Sequence, residues 1–211
     1  MVRYVIVGCG MMGREHIRNI VLLDHTSIVG IYEPNKEMRR LAEILVPNTL
    51  FFESLAKLLQ EVEFDCLVVA TPNFRHIKDL YEILQVVTKP ILIEKPVVTS
   101  YEDTLKLIEF NKKYKTPIWV GMEYRYMPAL QSFIKQEKFA TGGVKMLSIR
   151  EHRFPFLKKI DNWNRFNKFT GGTFVEKCCH FFDLMRLIIG CNPLQIMASG
   201  GQVCNHSTEI Y

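Results

Sequence analysis

Arg3-Tyr-Val-Ile-Val-Gly8-Cys-Gly10-Met-Met-Gly13 opens the chain as a short β-rich run, turns on glycine and passes into a helical pattern. Residues 13–23 carry Ile17, Ile20 and Val21 at helical spacing. Three glycines in the pattern GxGxxG occur as plain turns too, but a preceding strand and a following helix give the pattern meaning. Gly8 then permits the tight turn, and Gly10 lets the backbone approach a pyrophosphate. Gly13 allows close helix–strand packing. The helix start, with Met11 and Met12, faces the phosphates with its positive end.

Outward from this stretch the first 121 residues alternate strand and helix. Ser27–Tyr32 reads as a second strand. Pro34 and Asn35 open a helix carrying Met38, Leu41, Ala42 and Leu45. Leu50–Phe52 is a weaker strand, and Ser54 caps a helix over Leu55–Leu59. Cys66–Ala70 is a buried strand, Phe74–Val87 a helix and Pro90–Glu94 the next strand. Ser100 caps a helix over Tyr101–Tyr114, with Asp103 near its positive end, and Pro117–Gly121 is another strand. Continuous apolar strands between amphipathic helices predict a doubly wound parallel sheet of the Rossmann type, covered on both faces.

The carboxyl ends of such strands line the ligand crevice. Glu33 ends the second strand, where an acid hydrogen-bonds adenosine ribose hydroxyls and repels a 2′-phosphate, which favours NAD over NADP. Alternatively, Glu33 is a solvated strand-end acid. Arg39 and Arg40 can in principle recruit a 2′-phosphate, although both fall inside the next helix. Thr71-Pro72-Asn73 follows Cys66–Ala70. Pro72 stiffens that loop, Asn73 caps the next helix or bonds the cofactor, and His76 reaches the crevice or is an ordinary first-turn residue. Glu94-Lys95-Pro96 ends another strand. A lysine there can exchange a proton with substrate, and the following X–Pro bond is a candidate cis peptide.

Residues 122–211 have a different rhythm and read as an incomplete α+β domain with a mostly antiparallel sheet. Residues 127–138 predict a helix, Val144–His152 a half-solvated strand and Arg153–Thr170 a long loop. Thr173–Ile189 predicts a helix closed by Gly190, and Leu194–Ala198 a strand. Two such strands cannot make a stable sheet alone. Glu176, His180 and Asp183 stand at i, i+4 and i+7 of the predicted helix, on one face. His180 suits proton transfer, Asp183 can orient it, and Glu176 can bond a substrate hydroxyl. The same spacing also fits a solvated charged face. Gly171-Gly172 allows close approach, and Arg125 binds substrate or serves structure.

Charge follows this division. Residues 1–120 hold 15 basic and 15 acidic side chains, whereas residues 121–211 hold 12 and 7, so the net +5 belongs to the second part. Basic and aromatic residues interleave through Phe154, Phe156, Trp163, Phe166 and Phe169. That composition suits single-stranded nucleic acid as well as a loop presenting polar groups to a small ligand; without a known nucleic-acid fold the small ligand is preferred. The six cysteines, Cys9, Cys66, Cys178, Cys179, Cys191 and Cys204, form no CxxC pair and read as reduced thiols of a cytoplasmic protein. Adjacent cysteines in a helix point about 100° apart, so Cys178-Cys179-His180 is not read as a metal site. The longest apolar run, Cys66–Ala70, is far short of the roughly 20 residues that span a bilayer, and no signal peptide is read after Met1-Val-Arg.

Taken together, Gly8–Gly13, Thr71–His76, Glu94-Lys-Pro96, Glu123-Tyr-Arg-Tyr-Met-Pro128 and Gly171-Gly-Thr through His180-Phe-Phe-Asp183 resemble the glucose–fructose oxidoreductase and inositol dehydrogenase family (Gfo/Idh/MocA). The resemblance implies an NAD(P)-binding Rossmann domain over 1–121 and part of a substrate and oligomerisation domain over 122–211, since family members continue well beyond this length. It further implies hydride transfer between a sugar or cyclitol hydroxyl carbon and the cofactor, in a homo-oligomer. Lys95 then contacts the reacting hydroxyl, His180 exchanges its proton, and Glu176 stands where an aspartate is common, reaching one methylene further. Arg125, Glu176, His180 and Asp183 are the implied substrate contacts, beside Lys95. Two other readings stay open: a non-catalytic cofactor-binding sensor, and a member using bound NAD in sugar–sugar exchange or glycoside cleavage.

Overall fold

β1 (Val2–Val7) lies at the centre of a six-stranded parallel sheet in a computed structural model that describes residues 1–151, 157 and 159–199. Beside β1 are β2 (Thr26–Tyr32) and β4 (Cys66–Val69). β3 (Leu50–Phe52) flanks β2, and β5 (Ile91–Ile93) and β6 (Ile118–Val120) complete the order β3-β2-β1-β4-β5-β6. The registers pair Val7 with Tyr32 and with Val69, so the strand ends that precede Gly8, Glu33 and Ala70 are level. The chain divides into two units, Met1–Gly121 and Met122–Tyr211.

In unit 1 the helices α1 (Met11–Val21), α2 (Lys36–Glu43), α3 (Leu55–Glu61), α4 (His76–Leu84) and α5 (Tyr101–Lys113) connect the strands. Alternate strand residues supply two cores. Ile6, Ile31 and Val68 pack with Ile17, Ile20 and Ala42 of α1 and α2. Val5, Val7, Leu67, Val69, Ile91 and Ile93 pack with Leu55, Leu58, Leu80, Ile83 and Phe110 of α3, α4 and α5. This two-faced burial is why the strands read as continuous apolar runs. The capping residues act as their chemistry dictates: the side chains of Asn35, Ser54 and Ser100 accept backbone N–H groups at the starts of α2, α3 and α5. The helix read over Phe74–Val87 begins instead as a 3-10 turn over Asn73–Arg75.

In unit 2 a 3-10 turn over Glu123–Tyr126 precedes α6 (Pro128–Thr141), and a kinked segment over Ile160–Arg165, with Asp161 and Asn162 both at φ +52°, precedes α7 (Asn167–Thr170). The described part of the loop expected over 153–170, residues 157 and 159–170, therefore has local structure. Asn164 is buried and ties it, donating to Leu157 O at 2.8 Å and accepting from Lys159 N at 3.1 Å. The helix read over Thr173–Ile189 is two helices, α8 (Gly172–Glu176) and α9 (Cys179–Ile189), broken at Lys177-Cys178. Gly171 and Gly172 take φ of +76° and +77°, which explains the glycine pair. Gly190, at φ +78°, ends α9. The expected antiparallel sheet is not formed among the described residues: 144–151 and 194–199 carry no strand. A strand without a partner leaves its own N–H and C=O groups unpaired, so alternation alone does not create one. His152, Phe154, Phe156 and Cys204 lie outside the described residues. No helix among those described is long and apolar enough to cross a membrane.

Candidate functional site

The order of the sheet reverses direction between β1 and β4, and the loops after these two strands meet there. Gly8 has φ +91°, and a Cβ on it would stand 2.8 Å from Thr71 N and 2.9 Å from Thr71 Cα. A Cβ on Gly13 would stand 2.1 Å from Gly8 O, so α1 rests directly on the turn. Gly10 is different: a Cβ there meets nothing within 4 Å. It is the N-cap of α1, no side chain caps the helix, and no acid occupies its first turn. The N–H groups at Met11 and Met12 thus begin a helix whose start has no side-chain cap and open space beside Gly10, a geometry that suits a phosphate.

Glu33 follows β2 and is buried, at 7% exposure. Its Oε2 accepts the Cys9 N–H and its Oε1 the Asn35 N–H, both at 2.9 Å. The carboxylate braces the glycine turn, and each oxygen keeps a further lone pair for a ligand hydroxyl. The solvated alternative for this acid does not hold. Burial, then the neighbouring Glu33, pushes the Cys9 thiol far above its ordinary range. Arg39 reaches Glu33 O at 3.2 Å while paired with Glu53 at 2.9 Å, and Arg40 is exposed.

After β4, Thr71 donates to Asp79 at 2.7 Å, and Asp79, fully buried, also receives Arg75 at 2.9 Å. Arg75 bonds the Tyr32 hydroxyl at 3.1 Å. Pro72 leads into the 3-10 turn and Asn73 is buried within it; Arg75, the N-cap of α4, makes no side-chain cap bond. His76 is fully buried between two carbonyls, with Nδ1 2.7 Å from Pro96 O and Nε2 2.8 Å from Thr71 O. Both ring nitrogens face backbone, so His76 fastens two strand-end loops together and offers no nitrogen to the crevice. Burial lowers its pKa; the two carbonyls, Glu94 and Asp79 oppose this without reversing it.

After β5, Lys95 is half-buried and the Lys95–Pro96 bond is cis. Glu94 is buried and accepts His16 Nε2–H at 2.7 Å. Burial by itself raises the Glu94 pKa, but the His16 hydrogen bond and the pull of His16, Lys95 and His76 hold it below the ordinary carboxylate value. Arg14 donates to Cys9 O at 3.0 Å and sits 3.2 Å from Met38 Sδ, which adds a cation beside the glycine turn. Sequence reasoning passed over Arg14 and His16; the usable signal was their place one and three residues after Gly13, in the first turns of α1.

In unit 2 the break between α8 and α9 changes the expected face. Glu176 and His180 are buried, at 6% and 2% exposure. Asp183 does not orient His180. Its two oxygens take Arg125 Nε at 2.6 Å and Nη2 at 2.5 Å, and this pair raises the Arg125 pKa. The imidazole is placed instead by the turn over Glu123–Tyr126. Tyr124 stacks on it with centroids 4.3 Å apart and planes 10° from parallel, and Glu123 Oε1 lies 3.5 Å from Nε2. Lys177, also buried, pairs with Glu151 at 3.1 Å, bonds the Tyr124 hydroxyl and lies over the Tyr124 ring at 4.6 Å. Nothing in the helical spacing pointed to Tyr124 or Lys177. The basic–aromatic interleaving serves contacts inside the unit: Lys159 lies over Trp163, and Lys168 over Phe166 and Phe169.

A parallel sheet of this order, with a glycine turn, an uncapped helix start and an acid after β2, defines the Rossmann class of dinucleotide-binding fold. Residues 2–122 match the family profile described as the oxidoreductase family, NAD-binding Rossmann fold, and residues 132–209 match its C-terminal alpha/beta domain. The chain belongs to the GFO/IDH/MocA oxidoreductase family. It is 25% identical over 207 residues to 2,7-anhydro-N-acetylneuraminate hydratase of Escherichia coli (strain K12), covering 97% of this chain and 54% of that protein. It is 21% identical over 201 residues to myo-inositol 2-dehydrogenase of Thermotoga maritima, covering 94% and 58%. Among solved structures, myo-inositol dehydrogenase from Lactobacillus casei in complex with NAD(H) and myo-inositol superposes with a TM-score of 0.72 at 18% identity, covering 90% of this chain and 55% of that one. The WlbA dehydrogenase from Bordetella pertussis, in complex with NADH and UDP-GlcNAcA, gives a TM-score of 0.70 at 23% identity, covering 89% and 55%. The chain thus spans little more than half the length of these relatives.

Proposed function

We propose that this chain carries the cofactor domain and part of the substrate domain of an NAD-dependent dehydrogenase acting on a hydroxyl of a sugar or cyclitol. The observation that carries the reading is the convergence of the Gly8–Gly13 turn, Glu33 and the Lys95 turn at level strand ends of one sheet. Gly10 and the start of α1 hold the pyrophosphate, Glu33 the adenosine ribose, and Thr71, Pro72 and Asn73 wall the crevice. Bound NAD supplies the hydride acceptor. Lys95 bonds the reacting hydroxyl and steadies charge on its oxygen. His180, its ring set by Tyr124, takes the proton, and Glu176 and Arg125 bind further substrate hydroxyls.

The test follows NADH absorbance for the protein with inositols, hexoses and their acids, for wild type and Lys95→Ala, beside a calorimetric NAD titration. Turnover that falls at least a hundredfold in Lys95→Ala supports the reading. NAD binding with no turnover on any substrate overturns the enzyme and leaves the non-catalytic sensor. The hydratase relative favours one further reading, NAD retained through a cycle that cleaves a glycosidic or anhydro linkage. In that case product forms from such a substrate without net NADH.

A further inference from the structure

Lys95 has no regular secondary structure of its own to hold it, since β5 ends at Ile93 and α5 begins at Tyr101. Its two neighbours are held instead, each by a histidine from a different helix. On one side the Glu94 carboxylate is packed against Gly121, where a Cβ would come within 3.3 Å of Oε1, and the same oxygen accepts His16 at 2.7 Å. An ionised carboxylate only accepts, so the His16 Nε2 carries the proton. On the other side the Pro96 carbonyl faces His76 Nδ1 at 2.7 Å, and the far nitrogen of that ring faces Thr71 O at 2.8 Å. His16 belongs to α1, whose Ile17 and Ile20 lie in one core. His76 belongs to α4, whose Ile77, Leu80 and Ile83 lie in the other. The turn is therefore gripped from both faces of the sheet.

We infer that His16 is a positioning residue for Lys95: it ties the turn that carries the lysine to α1, the same helix whose uncapped start is proposed to hold the cofactor phosphate, with His76 as the fixed second point. Cofactor phosphate and lysine are thereby referred to one rigid element, and the Glu94 bond is what transmits that reference. The inference rests on the proposed role of Lys95, but its test does not require NAD. A failed NAD titration would remove the dehydrogenase reading while Lys95 labelling still reports on the clamp.

The experiment measures acylation of Lys95 by acetic anhydride, read by peptide mass spectrometry against exposed Lys57 in the same molecule, with melting temperature recorded in parallel. His16→Phe keeps a ring and loses the donor; His16→Gln keeps a donor to Glu94. The expected result is a Lys95/Lys57 ratio changed at least threefold in His16→Phe and within 1.5-fold of wild type in His16→Gln. A merely structural His16 moves the melting temperature and leaves the ratio alone. An unchanged ratio in His16→Phe overturns the inference, as does a His16→Gln protein that labels like His16→Phe. If His16→Phe does not fold, His16→Asn, whose amide stops short of Glu94, takes its place with the same expected change and the same refuting result.

Discussion

Gly10→Ala separates the binding role of the glycine turn from its folding role. At Gly10 the backbone has φ −59° and ψ −159°, and an added Cβ meets no protein atom within 4 Å. Losing glycine at an N-cap costs roughly 0.5–1 kcal/mol, and the stiffer unfolded chain returns about 0.4–1 kcal/mol. Stability should therefore change by less than about 1 kcal/mol, or roughly 2–4 °C in melting temperature. The methyl group would nevertheless fill the place proposed for the pyrophosphate. Displacing the phosphate from even one backbone N–H removes a charge-assisted hydrogen bond of about 1.5–3 kcal/mol, which is roughly a 10- to 150-fold loss of NAD affinity. Gly8→Ala is the contrast. At φ +91°, with Thr71 backbone 2.8 Å from the new Cβ, strain of about 1–3 kcal/mol and overpacking of about 1–3 kcal/mol should destabilise the fold itself. Calorimetric NAD titration and thermal melts of both variants decide the matter. A Gly10→Ala protein that binds NAD within twofold of wild type would falsify the placement of the phosphate, and a Gly8→Ala protein as stable as wild type would refute the close approach of Thr71.

Glu33→Ala leaves the Cys9 and Asn35 N–H groups without their acceptor, so a loss of about 2–4 kcal/mol is expected, together with a shift of preference from NAD toward NADP; a wild-type protein that already prefers NADP contradicts the role given to Glu33. Acid should destabilise unit 1 in two stages. The folded pKa of His76 lies below its ordinary 6.5, so the unfolded chain takes up protons first and stability is lost as pH falls below about 6.5. The folded pKa of Glu94 lies below its ordinary 4.5, so its contribution is present above that value and is lost as pH falls through the folded pKa. Melting temperature against pH should lose the first stage in His76→Gln, and persistence of that stage would clear His76 of it. In unit 2, Asp183→Asn should cost only about 1 kcal/mol, because the Arg125 partner is about a third exposed and screened. The His180 ring resonances should shift in Tyr124→Leu and not in Asp183→Asn; the reverse pattern would restore Asp183 as the orienting group.

The parallel sheet was legible from local signals because each has a local cause. Asn35, Ser54 and Ser100 cap the helices they precede through their own side chains. Strands buried on both faces, such as Cys66–Val69, must be apolar at every position. The glycine spacing was readable too, since Gly8 turns at positive φ and Gly13 rests on Gly8 O within one turn, whereas the approach of Thr71 to Gly8 comes from a loop far along the chain. Unit 2 was less legible. Periodicity treated Thr173–Ile189 as one helix because Glu176 to Asp183 keeps helical spacing across the break, and it counted strands in 144–152 and 194–198 that have no partner among the described residues.

The sequence by itself determined the class of fold, the element order of unit 1 and the residues that stand at its strand ends, because propensity, capping and burial periodicity act over a few neighbouring positions. Only the tertiary structure decided which of those residues pair with one another. Glu33 braces the glycine turn, His76 joins the Thr71 and Pro96 loops, Asp183 belongs to Arg125 rather than His180, and His16 reaches Glu94, 78 residues away. Such pairings depend on chain segments brought together by core packing, and a side chain's partner across that distance leaves no mark on the spacing of its neighbours.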